Sequence, residues 1–173
     1  ASNAAQIVLL DSDFSKMPEV VLEGRRVVNN IQTSASLFLV KNIFSILTTV
    51  FTLIAANLYP LYPTQLSLLG AFTIGTPAFV LALQPNKELI RGDFLVNVIL
   101  KALPAGLADF IMLAAISIHG NILGMSNEQI STVAIVILLF IGLAALVRIC
   151  RPFDGIRILL CLAMAAGIVI CVL

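Results

Sequence analysis

Charge is what this 173-residue sequence most lacks. Asp, Glu, Lys and Arg make up 11% of it against 60% hydrophobic residues, and the mean hydropathy is +1.09. A soluble domain carries about a quarter charged residues, so a water-soluble fold is excluded. The net charge of +1 points to neither nucleic acid nor an acidic protein as partner. Histidine occurs once, and the three cysteines, Cys150, Cys161 and Cys171, form no CxxC or Cys/His cluster, so no metal centre is marked. They read as small apolar residues. Missing too are the Gly-rich phosphate loops and the H-E-x-x-H helix, so no catalytic residue is assigned and the chain alone is expected not to hydrolyse ATP. The polar, acidic start lacks a basic n-region and an early apolar stretch of useful length, so no cleavable signal peptide is expected. The first long apolar span must then act as its own insertion signal.

What is abundant is apolar sequence in runs of about 20 residues, the length that crosses a bilayer core. Five such runs are expected, at 35–58, 63–83, 94–118, 130–149 and 156–173. Short connections make successive helices antiparallel neighbours. Lys16, Arg25, Arg26, Lys87, Arg91, Arg148, Arg151 and Arg157 all fall on one side of this arrangement. By the positive-inside rule that side is cytoplasmic, with the N-terminus inside and Tyr59 and Tyr62 in an outer aromatic belt. The fold class is therefore all-α: a polytopic bundle of five spans, integral to a membrane, with the plasma membrane expected.

Pro18 suits a first helical turn, and no proline follows until Pro60, so one helix is expected over 18–58. At 1.5 Å per residue it is roughly 60 Å long, twice the hydrocarbon thickness, and half should stand in the cytoplasm as a stalk. Upstream, the apolar run 6–10 bounded by Asp11, Ser12 and Asp13 reads as a buried parallel strand. A lone strand is not stable, so residues 1–16 are expected to be the remnant of a preceding cytoplasmic domain. Residues 17–34 are assigned to the stalk and 35–173 to the membrane.

These residues resemble a known family. AQIVLLDSDFS (5–15) is similar to the end of the phosphorylation domain of P-type cation-transporting ATPases, and EGRRVVNNI (23–31) to the start of their stalk. PTQL (63–66), TIGTPA (73–78) and QP (84–85) continue the likeness in order and spacing. The resemblance covers roughly the first half of the chain; the later helices agree in number and orientation. It implies that the spans are the fifth to ninth membrane helices, with a tenth to follow. It also implies ATP-driven cation transport through an aspartyl phosphate with Mg²⁺. ATP and Mg²⁺ would bind in missing upstream domains of the same polypeptide.

The resemblance also points to ion-pathway residues. Asn42 and Thr73 fall at positions that the calcium-pump branch uses as ligands. Ser45 stands where an acid is expected, Gly70 where an amide is, and Ile74 where the key aspartate would be. A hard divalent ion prefers carboxylates at low dielectric, so a calcium site does not carry over directly. Lys41 precedes Asn42, as a lysine does in the gastric proton-pump branch, where it resembles a built-in counter-cation. Snorkelling to the cytoplasmic interface is the alternative. Pro77 beside Gly75 marks a place where a broken helix exposes carbonyls, and Pro104 reads as a kink. Asp109, the one acid within any span, reads chiefly as a hydrogen-bonding link to a neighbouring helix, with a proton relay or ion ligand as the sharper reading.

The function expected is thus the membrane part of an ATP-driven cation pump, with the lipid bilayer and a transported cation as partners. Lys41 and Ile74 keep a flippase-like cargo, a lipid or other organic substrate, in view. A non-enzymatic membrane subunit or channel is the third reading.

Overall fold

The computed structural model describes residues 14–55, 59–84, 86, 89–90, 92–151 and 153–172. The expected strand at 6–10 lies outside them. After a 3₁₀ turn (Phe14–Lys16), helix α1 runs over Met17–Ala55 as 39 unbroken residues, about 58 Å long. The second span is a composite of α2 (Pro63–Gly70), a π-helical turn (Ala71–Gly75) and α3 (Thr76–Ala82). Helices α4 (Phe94–Ile122), α5 (Asn127–Ile149) and α6 (Gly155–Val172) complete the chain. By length and composition five helical stretches are able to cross a membrane, and the chain is an integral membrane protein of five spans.

Two boundaries differ from expectation, each for a local reason. Helix α4 runs four residues past 118 because a Schellman closure ends it: Gly124 takes φ +69° and Met125 N–H reaches Gly120 O at 2.9 Å. Helix α5 begins at Asn127 rather than 130 because Ser126 and Gln129 form a reciprocal capping box, with bonds of 3.3 and 3.0 Å.

The helices meet through small residues, as membrane bundles do. A Cβ on Gly106 would lie 2.9 Å from Ile43 Cβ and 3.1 Å from Val40 O, so α1 and α4 cross at backbone distance. A Cβ on Gly142 would come within 2.5 Å of Thr73 Cγ2, and one on Gly167 would overlap the Phe72 ring. The π-helical turn is thereby seated against α5 and α6. One apolar core gathers Phe44, Leu69, Leu113, Leu138 and Leu139. A second holds Leu37, Ile74, Ala78, Leu146 and Leu160. Outward faces are apolar as well, with Leu53 76% and Ile170 76% exposed, as lipid contact requires.

Polar side chains gather at the Arg-rich end. Asn30 Nδ2 donates to Ala82 O and Gln84 O, both at 2.8 Å, filling carbonyls that the end of α3 leaves open. Ser34 Oγ reaches Ala78 O at 3.3 Å. From the α6 side, Arg157 Nε donates to Gln84 Oε1 at 2.8 Å and Nη1 to Cys150 O at 3.3 Å. Helix α1 is thus tied to the end of the second span. Gln84 joins it to α6.

Candidate ion-pathway site

Proline removes a backbone donor, so Pro77 withholds the amide that an α-helix would offer to Thr73 O. The preceding turn widens: Thr76 N–H bonds back to Ala71 O, five residues away, and the Thr73 hydroxyl donates to Leu69 O at 2.6 Å. The interruption therefore falls on the N-terminal side of Pro77, over residues 71–75. Such π-turns are frequent at functional sites.

Beside this turn lies a cavity of about 20 Å³, room for roughly one water. Its walls include Lys41 and Phe44 of α1, Gly70, Thr73 and Ile74 of the second span, Asp109 of α4 and Gly142 of α5. Four of the expected pathway residues, Lys41, Gly70, Thr73 and Ile74, thus meet in one place, and Asp109 joins them. Three do not line it. Asn42 is exposed and Pro77 is buried behind the turn. Ser45 lies beside Tyr59, whose phenol is raised above its ordinary range by burial and partly lowered again by contact with Ser45 and Thr48.

Lys41 lies eleven residues along α1 from Asn30, about 16 Å below the polar layer. Its side chain is exposed, and its Nζ lies 3.7 Å from where a Cβ on Gly70 would stand. A methyl group at Gly70 would be in ordinary contact with the ammonium. No Lys41 ion pair is present among the described residues.

Asp109 corrects an expectation. It is only 4% exposed, yet its Oδ1 has no hydrogen-bond partner, so it does not serve as an interhelical link through that atom. The close crossing at Gly106, one turn earlier on the same face, presents Asp109 to the cavity. An acid at 109 was visible in the sequence; its meeting with Lys41 was not, because the spacing within one helix carries no signal of the neighbour's rotation. The network of Asn30, Gln84 and Arg157 was missed altogether as a set, since its two bonds join residues 54 and 73 positions apart.

As a cation site the donor set is sparse. It offers one carboxylate and one hydroxyl already bonded, beside an ammonium that cannot ligate a cation, and no group of three His, Cys, Asp or Glu side chains gathers among the described residues.

Comparison with known proteins places the chain. It is 36% identical over 171 residues to the probable cation-transporting ATPase exp7 of Streptococcus pneumoniae, covering 94% of this chain and 22% of that protein. The calcium-transporting ATPase CtpE of Mycobacterium bovis is 38% identical over 180 residues, covering 96% of this chain and 23% of its own length. That of Mycolicibacterium smegmatis is 36% identical over 170 residues, covering 90% and 22%. This is a P-type cation-transporting ATPase membrane segment. The P-type segment spans about a fifth of the length of these relatives, 22–23%, and the likeness extends across its later helices as well. No family model and no solved structure matches it.

Proposed function

We propose that this segment forms one wall of the cation pathway and the coupling rod of an ATP-driven pump, with the Lys41–Asp109 cavity on the pathway. The observation that carries the reading is the cavity itself. A π-turn, a buried carboxylate with an unpartnered oxygen and a lysine ammonium converge at one depth. Polar groups inside a membrane are expensive and are kept where ions or protons pass.

Lys41 supplies a fixed positive charge and Asp109 a carboxylate able to hold a proton or a cation. The opposite charges of Lys41, which is exposed, and of buried Asp109 leave the site without net negative charge, so a divalent cargo would need carboxylates from outside this segment. Relatives named as calcium-transporting are consistent with acids supplied elsewhere in the polypeptide. The small cavity favours an ion over a lipid headgroup as cargo.

ATP and Mg²⁺ belong, in this reading, to cytoplasmic domains before the stalk. Residues 1–16 end one of them and 17–34 form the stalk. Asn30 locks α1 to the end of α3, so a pull on the stalk moves the second span with it. The N-terminus is assigned to the cytoplasm and the protein to the plasma membrane.

The test uses ion-stimulated ATPase activity of the full-length pump against monovalent and divalent cations. Lys41→Ala should change the stimulation profile, and Lys41→Arg should hinder occlusion because guanidinium is larger and forked. An unchanged profile for Lys41→Ala would remove Lys41 from the pathway.

A further inference from the structure

The Arg-rich end holds cations that the pathway does not use. Between α1, α3, α4 and the α5–α6 connection lies a cavity of about 60 Å³, whose walls include Asn30, Gln32, Lys101 and Arg151. Apart from Leu81 and Ile149 its lining is polar, and no carboxylate contributes to it among the described residues. Gln32 is only 6% exposed, and its amide makes no hydrogen bond among the described residues. An amide without a partner in the fold, beside the exposed cations Lys101 and Arg151, suits an anion.

Lys101 also borders a second space, a groove of about 190 Å³ along α4 and α5. Pro104, Ala105, Ile141 and Ala144 form its apolar floor and Arg148 joins Lys101 at its rim. No carboxylate lies within ion-pair distance of Lys101, Arg148 or Arg151 among the described residues. Arg151 instead rests over the Phe153 ring, 5.9 Å from its centre. A polar, cationic cavity that continues into an apolar groove at the headgroup level has the profile of one molecule, a phosphate with a hydrocarbon tail.

We propose that an anionic phospholipid binds here, its phosphate held by Lys101, Arg148 and Arg151 and its acyl chain lying in the α4–α5 groove. Basic pockets between membrane helices on the cytoplasmic side recognise such headgroups. A free phosphate shares the headgroup's chemistry but leaves the groove empty.

Native mass spectrometry of the protein released from neutral detergent decides it, using phosphatidylglycerol, phosphatidylcholine and inorganic phosphate as probes. The unaltered protein should retain phosphatidylglycerol over phosphatidylcholine, and phosphate at millimolar concentration should not displace it. Lys101→Gln combined with Arg151→Gln should cut that retention roughly tenfold or more, Lys101→Arg should keep it, and Arg25→Gln should leave it unmoved. Equal retention of the two lipids, or displacement by inorganic phosphate, would overturn the proposal. Because both comparisons use the unaltered protein, they hold even where the double variant fails to fold.

Discussion

Asp109 is the residue on which the site turns. A carboxylate only 4% exposed and with no hydrogen-bond partner for Oδ1 is costly to keep. Replacing it with a residue of matching shape and no charge should make the bundle more stable while harming transport. We predict that Asp109→Leu raises the thermal stability of the detergent-solubilised protein by about 1–3 kcal/mol and abolishes ion stimulation. Loss of stability would instead assign Asp109 a structural bond. Cys150 illustrates the opposite kind of burial, without function. Its thiol is pushed from an ordinary value near 9.0 up to about 12 by burial, with Cys161 alongside adding to the rise. The unfolded chain therefore ionises Cys150 first, and the stability that this thiol contributes is lost as pH climbs from about 9 to about 12. At neutral pH its thiolate is scarcer by about a thousandfold, so maleimide should leave Cys150 unmodified for hours; labelling within minutes would contradict the burial.

Among the elements, the interrupted second span and its glycine seats are the feature that separates this bundle from a plain stack of helices. Gly142 admits Thr73, and a side chain there has nowhere to go, since the contact is 2.5 Å. Gly142→Val should destabilise the protein by about 1–3 kcal/mol and shift the ion profile together with stability; calorimetry with no change in melting would show that the two helices are not seated as described. Asn30 is the second lever, because its amide fills two carbonyls at the end of α3. Asn30→Leu should cost about 2 kcal/mol. Much at this scale was readable beforehand: the apolar runs, Pro18 and the absence of proline up to Pro60 located α1, and Pro77 beside Gly75 marked the interruption. The helix ends were less so, because the Ser126–Gln129 box and the Gly124 closure are short signals within polar connections. Which faces meet was not readable, since it depends on Gly106 admitting Ile43 and Val40.

For the whole molecule, five antiparallel spans put the charged ends of α1, α4, α5 and α6 on one side, where Arg148, Arg151 and Arg157 lie, and leave the other side without Lys or Arg among the described residues. Single cysteines at Asp154 and Asn127 should accordingly label from opposite faces, Asp154 from the cytoplasm. The larger claim is that Lys41 and Asp109 act on the cation together. A double-mutant cycle on ion-stimulated ATPase activity of the full-length pump tests it most directly, comparing Lys41→Ala, Asp109→Asn and the pair across a monovalent and divalent panel. Shared action predicts strong non-additivity, with the double variant restoring charge balance and recovering part of the stimulation lost in each single. Additive effects, or stimulation profiles that none of the three variants alters, would contradict it.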